Sequence, residues 1–292
     1  MFTRLVLSAV LLAIAGCAGS APPPPVEAAP NVIQPGLRVE GNRLYIPVTI
    51  NGVETEALLD SGAEMTLLDT GFAAVAGLVA FGEEEARGTG EGTERVQFAE
   101  GVTILAAGET LADRMVAIMD LGDISARLIG RPLTVILGRE FFDAGRVYLD
   151  IEAGILAPAD AAATPAGEMF DLSDAHGIKQ MPVMINGLPV MADFDLGNGG
   201  DILLSAAFAE AAGLLAEDNI LGTATGGGIG GPVDRTLVRI DSLAIGSTTL
   251  HGLTGAVGPS SDGADMNVGV SVLRGFRMVI DYPQDRVWLE PR

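Results

Sequence analysis

Apolar and polar residues alternate along most of the chain in short runs that are separated by turn residues. Residues 44–50 alternate in this way, Asn51 and Gly52 follow as a strong hairpin signal, and residues 53–59 form the returning strand. Helical patterns are brief and are limited to residues 70–77, residues 206–213 and one turn after residue 138. The pattern predicts an all-β fold made of many short strands.

The second half of the chain repeats the first. Residues 46–52 match residues 181–187, and the same offset of 135 residues places residues 60–62 on residues 195–197. This period is much longer than the repeat of a solenoid protein, so it indicates a duplicated domain. We therefore expect two similar lobes.

The boundaries of the lobes follow from the ends of the repeat and from composition. We assign residues 37–158 to the first lobe and residues 170–292 to the second. Residues 159–169 between them are rich in Ala, Pro and Thr and are predicted to be a linker. Asp150 and Asp281 are equivalent residues near the ends of the lobes, and both are expected to cap or pair locally.

The N-terminus has the pattern of a secretory signal, because its apolar run is too short to span a bilayer. Residues 1–17 end at the only cysteine, Cys17, in a segment that resembles the bacterial lipobox, where the cysteine is lipidated. The resemblance implies a lipoprotein of the bacterial cell envelope, and Ala18 points to the outer membrane, facing the periplasm. Residues 18–36, rich in Ala and Pro, are predicted to be an extended tether. The alternative is an ordinary signal peptide with a coincidental cysteine.

Charge and composition limit the partners of the protein. Its 292 residues include 38 acidic and 17 basic ones, and the net charge of −21 repels phosphate backbones and anionic lipids. We expect no nucleic-acid binding, and membrane contact through the lipid anchor only. One cysteine and two histidines cannot build a disulfide framework or a structural zinc site. Neither a metal nor a cofactor is predicted.

One motif carries candidate chemistry. Asp60-Ser61-Gly62-Ala63 follows a hydrophobic strand and leads into a second apolar segment, and the sequence Val135-Ile136-Leu137-Gly138-Arg139 comes about 75 residues later. Together these motifs resemble those of the retropepsin-like aspartic proteases. In the second half, Asn267-Val268-Gly269 occupies the place of the later motif, without the arginine.

The resemblance implies two retropepsin-like lobes that form a pseudo-dimer within one chain, so a homodimer is not required for the active site. It assigns Asp60 and Asp195 as catalytic residues acting on a peptide or protein substrate. The active-site loops that it implies contain Ser61, Gly62, Ala63, Leu196, Gly197 and Asn198. The glycine-rich turns that it implies as flaps over the cleft contain Gly88, Thr89, Gly90, Gly227, Gly228 and Ile229.

Two carboxyl groups held within hydrogen-bonding distance cannot both ionise, so they share one proton. The ionised carboxylate can then act as a general base on water, while the protonated one polarises the substrate carbonyl. The sequence therefore predicts an aspartic endopeptidase anchored in the cell envelope.

Leu196 favours an alternative. In the family this position is Thr or Ser, whose hydroxyl group ties the two active-site loops together; Ser61 keeps the hydroxyl and Leu196 lacks it. The alternative is a catalytically degenerate, peptide-binding or scaffold lipoprotein with the same fold. Because both carboxylates are retained, we prefer the protease and expect Leu196 to make it slow.

Overall fold

The computed structural model describes residues 36–175, 177–258 and 264–292. Cys17, the rest of the predicted signal peptide and all but the last residue of the predicted tether lie outside these residues. Strands dominate the described part, and the predicted all-β fold with two similar lobes is confirmed. None of the helices in these ranges has the length and apolar character needed to cross a membrane.

The first lobe is built on one eight-stranded sheet. Its strands are β1 (Arg38–Glu40), β2 (Arg43–Ile50), β3 (Val53–Leu59), β4 (Leu67–Asp69), β5 (Phe81–Ala86), β6 (Glu94–Ala106), β7 (Glu109–Met119) and β8 (Val135–Leu137). Their order across the sheet is β1-β2-β3-β8-β4-β7-β6-β5. The short helices of this lobe are α1 (Thr70–Val75), α2 (Gly122–Ile124), which continues into a π-helical turn at Ser125–Ile129, and α3 (Glu140–Asp143).

Three strands between the two lobe sheets belong to neither of them: β9 (Val147–Asp150), β10 (Ile155–Pro158) and β11 (Glu168–Asp171). Strand β11 begins inside the predicted linker, residues 159–169, so the irregular connection is shorter than its composition indicated. The reason is that residues 168–171 pair with the last strand of the chain.

The second lobe repeats the first strand by strand. Its sheet contains β12 (Ser173–Ala175), β13 (Ile178–Ile185), β14 (Leu188–Phe194), β15 (Ile202–Ser205), β16 (Ile220–Gly226), β17 (Val233–Ile245), β18 (Thr248–Gly258) and β19 (Met266–Val268). The order β12-β13-β14-β19-β15-β18-β17-β16 is that of the first sheet. The helical segments are α4 (Ala206–Ala211), α5 (Val270–Leu273) and the 3-10 turns Glu217–Asn219 and Tyr282–Gln284.

Both lobes contribute to a third sheet. The last two strands, β20 (Phe276–Asp281) and β21 (Arg286–Pro291), join the three intermediate strands in the order β10-β9-β20-β21-β11. The expectation that Asp150 and Asp281 cap or pair locally is confirmed for Asp150, which accepts from the N–H of Ala153 at 2.9 Å. Both residues also bond to an arginine across this sheet. Arg146 contacts Asp281 at 2.7 Å, and Arg277 contacts Asp150 at 3.7 Å.

The predicted Asn-Gly hairpins form in both lobes. Asn51 and Gly52 have φ angles of 47° and 83°, and Asn186 and Gly187 have 47° and 81°. A two-residue hairpin of this kind needs positive φ at both central positions, which Asn and Gly adopt at low cost. The turns fix the register of β2 on β3 and of β13 on β14, and thereby the position at which each Asp-x-Gly loop begins.

The main hydrophobic core extends through both lobes. Its largest fully buried side chains include Phe141 and Phe142 of the first lobe and Phe194 and Phe276 of the second. A separate apolar cluster of the first lobe contains, among others, Tyr45, Leu58, Leu121, Leu133 and Ile136. The continuous core holds the ends of β3 and β14 in fixed positions, and these ends carry the aspartates.

Candidate active site

The two Asp-x-Gly loops meet between the lobes. Asp60 follows β3, and its N–H donates to the carbonyl oxygen of Leu137 in β8 at 2.9 Å. Asp195 follows β14, and its N–H donates to Val268 in β19 at 3.2 Å. The carboxyl groups of Asp60 and Asp195 share a side-chain hydrogen bond. The structure therefore brings together the two aspartates that the sequence singles out, within one chain.

Glycine is required in both loops because the carboxyl group of the opposite lobe packs against it. A Cβ atom on Gly62 would lie 2.9 Å from Oδ1 of Asp195, and a Cβ atom on Gly197 would overlap the carboxyl group of Asp60. In a close-packed interior, any side chain at these positions would push the carboxyl groups apart. Gly62 and Gly197 therefore permit the contact between the aspartates.

Ser61 connects the two loops. Its side chain is buried; Oγ donates to the carbonyl oxygen of Phe194 at 2.7 Å and accepts from the N–H of Leu196 at 2.9 Å. The Leu196 side chain is also buried, packs in the main core and has no polar atom to make the reciprocal bonds. One hydroxyl group thus ties the loops, where the resemblance implies two.

Burial and the charge of Asp195 raise the pKa of Asp60 to about 8, although two backbone N–H groups oppose the shift. Burial also raises the pKa of Asp195, but the side-chain amide of Asn267 and two backbone N–H groups act against it. Donors stabilise a carboxylate and desolvation destabilises it. The pair of aspartates therefore keeps its last proton up to about pH 8.

Asn267 is a site residue to which sequence analysis assigned no role. It lies on β19, and its Nδ2 donates to Oδ2 of Asp195 at 2.6 Å. Asn198, which the sequence placed in the active-site loop, donates from Nδ2 to Oδ1 of Asn267 at 2.8 Å. The equivalent of Asn267 in the first lobe is Ile136. A polar residue between the buried apolar residues of a three-residue strand is the signal that could have identified it.

All six predicted flap residues lie at the tips of two hairpins, one between β5 and β6 and the other between β16 and β17. The tips bond to each other: the N–H of Gly90 donates to Ile229 at 2.9 Å, and that of Gly92 donates to Gly230 at 2.7 Å. A Cβ atom on Gly90 would lie 2.5 Å from the backbone of Gly230, so the contact needs glycine. The Ile229 side chain packs against the apolar cluster of the first lobe.

Two arginines, which sequence analysis did not single out, hold the flap tips. Arg127 donates to the carbonyl oxygens of Gly226, Gly227 and Gly228 at 3.3, 2.7 and 3.0 Å. Arg235 donates to the carbonyl oxygen of Thr89 at 2.7 Å. Each arginine therefore bridges from its own lobe to the flap of the other lobe. These contacts are about 100 or more residues apart in the chain, so no local pattern reveals them.

The arrangement is suited to proton transfer, because a proton can move between two touching carboxyl groups and a molecule bound beside them. Within the described ranges, no group of three or more His, Cys, Asp or Glu residues is placed as metal ligands would be. The polar groups at the centre of the site are the two aspartates and the amides that bond to them.

The family follows from comparison with known proteins. A sequence model of the family described as aspartyl protease matches residues 46–141 and 181–272, one segment in each lobe. The chain belongs to the aspartyl protease family. The two matched segments also confirm its two-lobe, retropepsin-like organisation. A comparison with curated protein sequences finds no match.

Two solved structures are similar to this chain. A retropepsin-like aspartic protease from Rickettsia conorii is similar at 20% identity with a TM-score of 0.34, over 44% of this chain and 96% of that one. Basic 7S globulin from soybean is similar at 10% identity with a TM-score of 0.51, over 87% of this chain and 93% of that one. At such identities the second similarity shows the fold alone.

Proposed function

We propose that this protein is an aspartic endopeptidase of the bacterial cell envelope, anchored through a lipid on Cys17. The observation that carries the catalytic part is the hydrogen bond between the carboxyl groups of Asp60 and Asp195. The flap tips that bond to each other support it, because paired flaps can enclose an extended peptide. The anchor rests on the position of the only cysteine in the sequence.

The reaction is hydrolysis of a peptide bond. The ionised carboxylate takes a proton from water, the water oxygen bonds to the carbonyl carbon, and the protonated carboxyl group gives its proton to the carbonyl oxygen. The C–N bond of the resulting diol then breaks. The nitrogen receives the proton held by the first carboxyl group, and a diol hydroxyl returns a proton to the second. The products are an acid and an amine, and the aspartates are restored.

The substrate is a peptide or protein segment in an extended conformation. Strand edges and flap backbones offer N–H and C=O groups that an extended chain can pair with, as in β-strand addition. Ile136 belongs to the buried apolar cluster of the first lobe, and the flap residue Ile229 packs on the same cluster. Apolar substrate side chains are therefore expected to bind on this side.

Three substitutions test the catalytic part. Asp60→Asn and Asp195→Asn should each abolish cleavage of a peptide library by the purified protein, since an amide keeps the contact and cannot act as a base. Asp113→Asn is the matched control. Asp113 is exposed, and its φ of 55° is one that Asn also adopts. A wild-type protein that cleaves nothing across a broad pH range and yet binds peptides would support the scaffold alternative instead.

A fourth substitution tests the anchor. Cys17→Ser expressed in a bacterial host should leave an unlipidated precursor and abolish partitioning into the detergent phase. Ser20→Ala, three residues further along, is the control and should be lipidated normally. Unchanged lipid labelling of the Cys17→Ser protein would contradict the anchor without bearing on catalysis.

A further inference from the structure

The second lobe places two side-chain amides beside its aspartate where the first lobe has apolar side chains. Asn198 is equivalent to Ala63, and Asn267 is equivalent to Ile136. We call Asn198 and Asn267 the asparagine pair. Their amides bond in series to Asp195: Asn198 to Asn267 at 2.8 Å, and Asn267 to Oδ2 of Asp195 at 2.6 Å.

The backbone fixes the direction of this series. The N–H of Gly200 donates to Oδ1 of Asn198 at 2.8 Å, and a backbone N–H can only donate. The other end of the Asn198 amide is therefore its NH₂ group, which donates to Oδ1 of Asn267. Asn267 in turn must present its NH₂ group to Asp195. Oδ2 of Asp195 thus has to accept a hydrogen bond.

Among the described residues, Asp60 has no side-chain amide donor equivalent to Asn267. Its Oδ1 accepts from the N–H of Gly62 at 2.9 Å, and Oδ1 of Asp195 accepts from the N–H of Gly197 at 2.8 Å. The backbone thus donates an equivalent hydrogen bond to Oδ1 of each aspartate. The side chains at 63 and 136 have no polar atom to donate to Asp60. The asparagine pair therefore makes the hydrogen bonding of the two carboxyl groups asymmetric.

We infer that the asparagine pair determines which aspartate carries the shared proton: Asp195 is held as the carboxylate and Asp60 as the acid. This inference rests on the proposed function for its catalytic consequence. Asp195 then takes the proton from water, and Asp60 gives its proton to the substrate carbonyl. Asn198 and Asn267 are positioning residues, because they act through Asp195.

Other titratable groups surround Asp195. Asp60 bonds to it from the first lobe, and the charge of Asp195 acts on the buried hydroxyl of Tyr282 in the turn after β20. The charges of Arg139 and Asp143 of the first lobe also act on that hydroxyl. On β14 itself, Asp193 accepts from Gln180 at 2.8 Å. Of these, Asp60 alone is a hydrogen-bond partner of Asp195 in the described part of the chain. Its proton and the amide of Asn267 both donate to the same carboxyl group, so both favour the ionised form of Asp195.

The test is a carbon NMR titration of the aspartate side chains in the full-length protein, with Asp60→Asn and Asp195→Asn to assign the signals. In the wild type, the midpoint at lower pH should belong to Asp195 and the one at higher pH to Asp60. Asn267→Ile installs the residue that the first lobe carries at this place. It should raise the lower midpoint by about one to two pH units, the effect of losing one hydrogen bond to a charged group.

Asn198→Ala, which copies Ala63, is the second variant. It leaves Asn267 in place without its fixed direction, so it should raise the lower midpoint by less than Asn267→Ile does. Asn219→Ala is the matched control, because the Asn219 amide bonds to Leu214 away from the aspartates. It should leave both midpoints unchanged. The acid limb of the kcat/KM profile should move with the lower midpoint.

A wild-type titration in which Asp60 ionises first would overturn the inference, even if neither variant folds. A lower midpoint that stays in place in folded Asn267→Ile would also overturn it. These readouts do not need turnover. An inactive protein with the expected titration would contradict the proposed function and leave the proton assignment supported.

Discussion

Ser61 and Leu196 occupy equivalent positions in the two halves, and the N–H of Leu196 donates to the hydroxyl oxygen of Ser61 at 2.9 Å. The same hydroxyl group donates to Phe194 at 2.7 Å, so both bonds between the loops depend on one side chain. The leucine compensates by packing: it is fully buried in the core that both lobes share. The first loop is therefore held by hydrogen bonds of Ser61, and the second by apolar packing of Leu196.

Removal of the Ser61 hydroxyl should impair both stability and catalysis. Ser61→Ala leaves a buried C=O and a buried N–H without their partner, which should lower the free energy of unfolding by about 1–3 kcal/mol. We also expect kcat to fall more than tenfold, because the loops that hold the carboxyl groups lose their common tie. Denaturant unfolding and peptide hydrolysis measure the two effects.

Ser205→Ala is the control for that experiment. Ser205 caps α4 by accepting from the N–H of Phe208 at 3.0 Å and, within the described ranges, bonds to neither Asp-x-Gly loop, and its loss should cost about 1 kcal/mol. Stability should fall while kcat is retained. Equal kcat in the Ser61→Ala and wild-type proteins would show that the tie does not serve catalysis.

Leu196→Thr should restore a second hydroxyl tie. We expect kcat to rise by about tenfold or more with little change in KM, since about 1.4 kcal/mol of transition-state stabilisation corresponds to a factor of ten. The loss of buried apolar surface should lower stability by about 1–2 kcal/mol. A fall in kcat would indicate that the second loop is adapted to leucine. Steady-state kinetics, with the Asp195→Asn protein as a blank, show whether kcat rises or falls.

The buried aspartates should make stability depend on pH. Asp60 has a pKa of about 8 in the folded protein, well above its ordinary value of 3.8. The folded state therefore binds more protons than the unfolded state in this window, and stability falls as pH rises from about 4 to about 8. Asp60→Asn removes the penalty. The stability of Asp60→Asn relative to wild type should therefore be greater at pH 8 than at pH 4 by more than about 1.4 kcal/mol, the equivalent of one pKa unit.

Chemical denaturation at the two pH values measures this difference, with Asp113→Asn as the exposed control. The control should differ from wild type equally at pH 4 and pH 8. An Asp60→Asn advantage that is the same at both pH values would contradict the raised pKa.

Arg127 should keep the flaps together. Arg127→Met removes three hydrogen bonds to the second flap, which in turn accepts from the N–H groups of Gly90 and Gly92. Exchange of these two amides with solvent should accelerate by about tenfold or more. Arg95→Met is the control, because the Arg95 side chain is 82% exposed and contacts only Glu83, at 3.5 Å, among the ion pairs of the described residues. Equal exchange in both variants would show that Arg127 does not restrain the tips.

The two lobes contain equivalent arginines, Arg146 and Arg277, that form ion pairs across the shared sheet, so one can serve as the control for the other. The side chains of Arg146 and Asp281 are 6% and 3% exposed, so Arg146→Met leaves a buried charge and should cost about 3–5 kcal/mol. The equivalent substitution Arg277→Met removes a side chain that is 41% exposed, and should cost less than about 1 kcal/mol. Denaturant unfolding of the two variants should differ accordingly; similar losses would mean that burial does not set the cost.

Local signals were enough to predict the lobes. The Asn-Gly turns need only two adjacent residues with positive φ, and each returning strand leads directly into an aspartate. The repeat then predicted that Asp60 and Asp195 belong together. The shared sheet could not be predicted in this way, because β9 and β20 pair across more than a hundred residues and no local pattern encodes that register.

The parts of the site that the sequence did not predict also depend on contacts between residues that are far apart in the chain. Asn267 reads as one polar residue in a short apolar strand, and its role depends on Asp195 and Asn198 lying beside it in space. Nothing in the sequence around Arg127 distinguishes it from a surface arginine, but its side chain donates to carbonyl groups of the other lobe. Neither contact follows from periodicity or from turn chemistry.

The two lobes that share this sheet belong to one polypeptide, and this changes which substitutions the protein can accept. In an assembly of two identical subunits, each mutation is present twice, so both halves of the site must tolerate it. Here Ile136 and Asn267 coexist at equivalent places. A single mutation can therefore modify the partner of one carboxyl group and leave the other untouched, and the two halves are free to specialise.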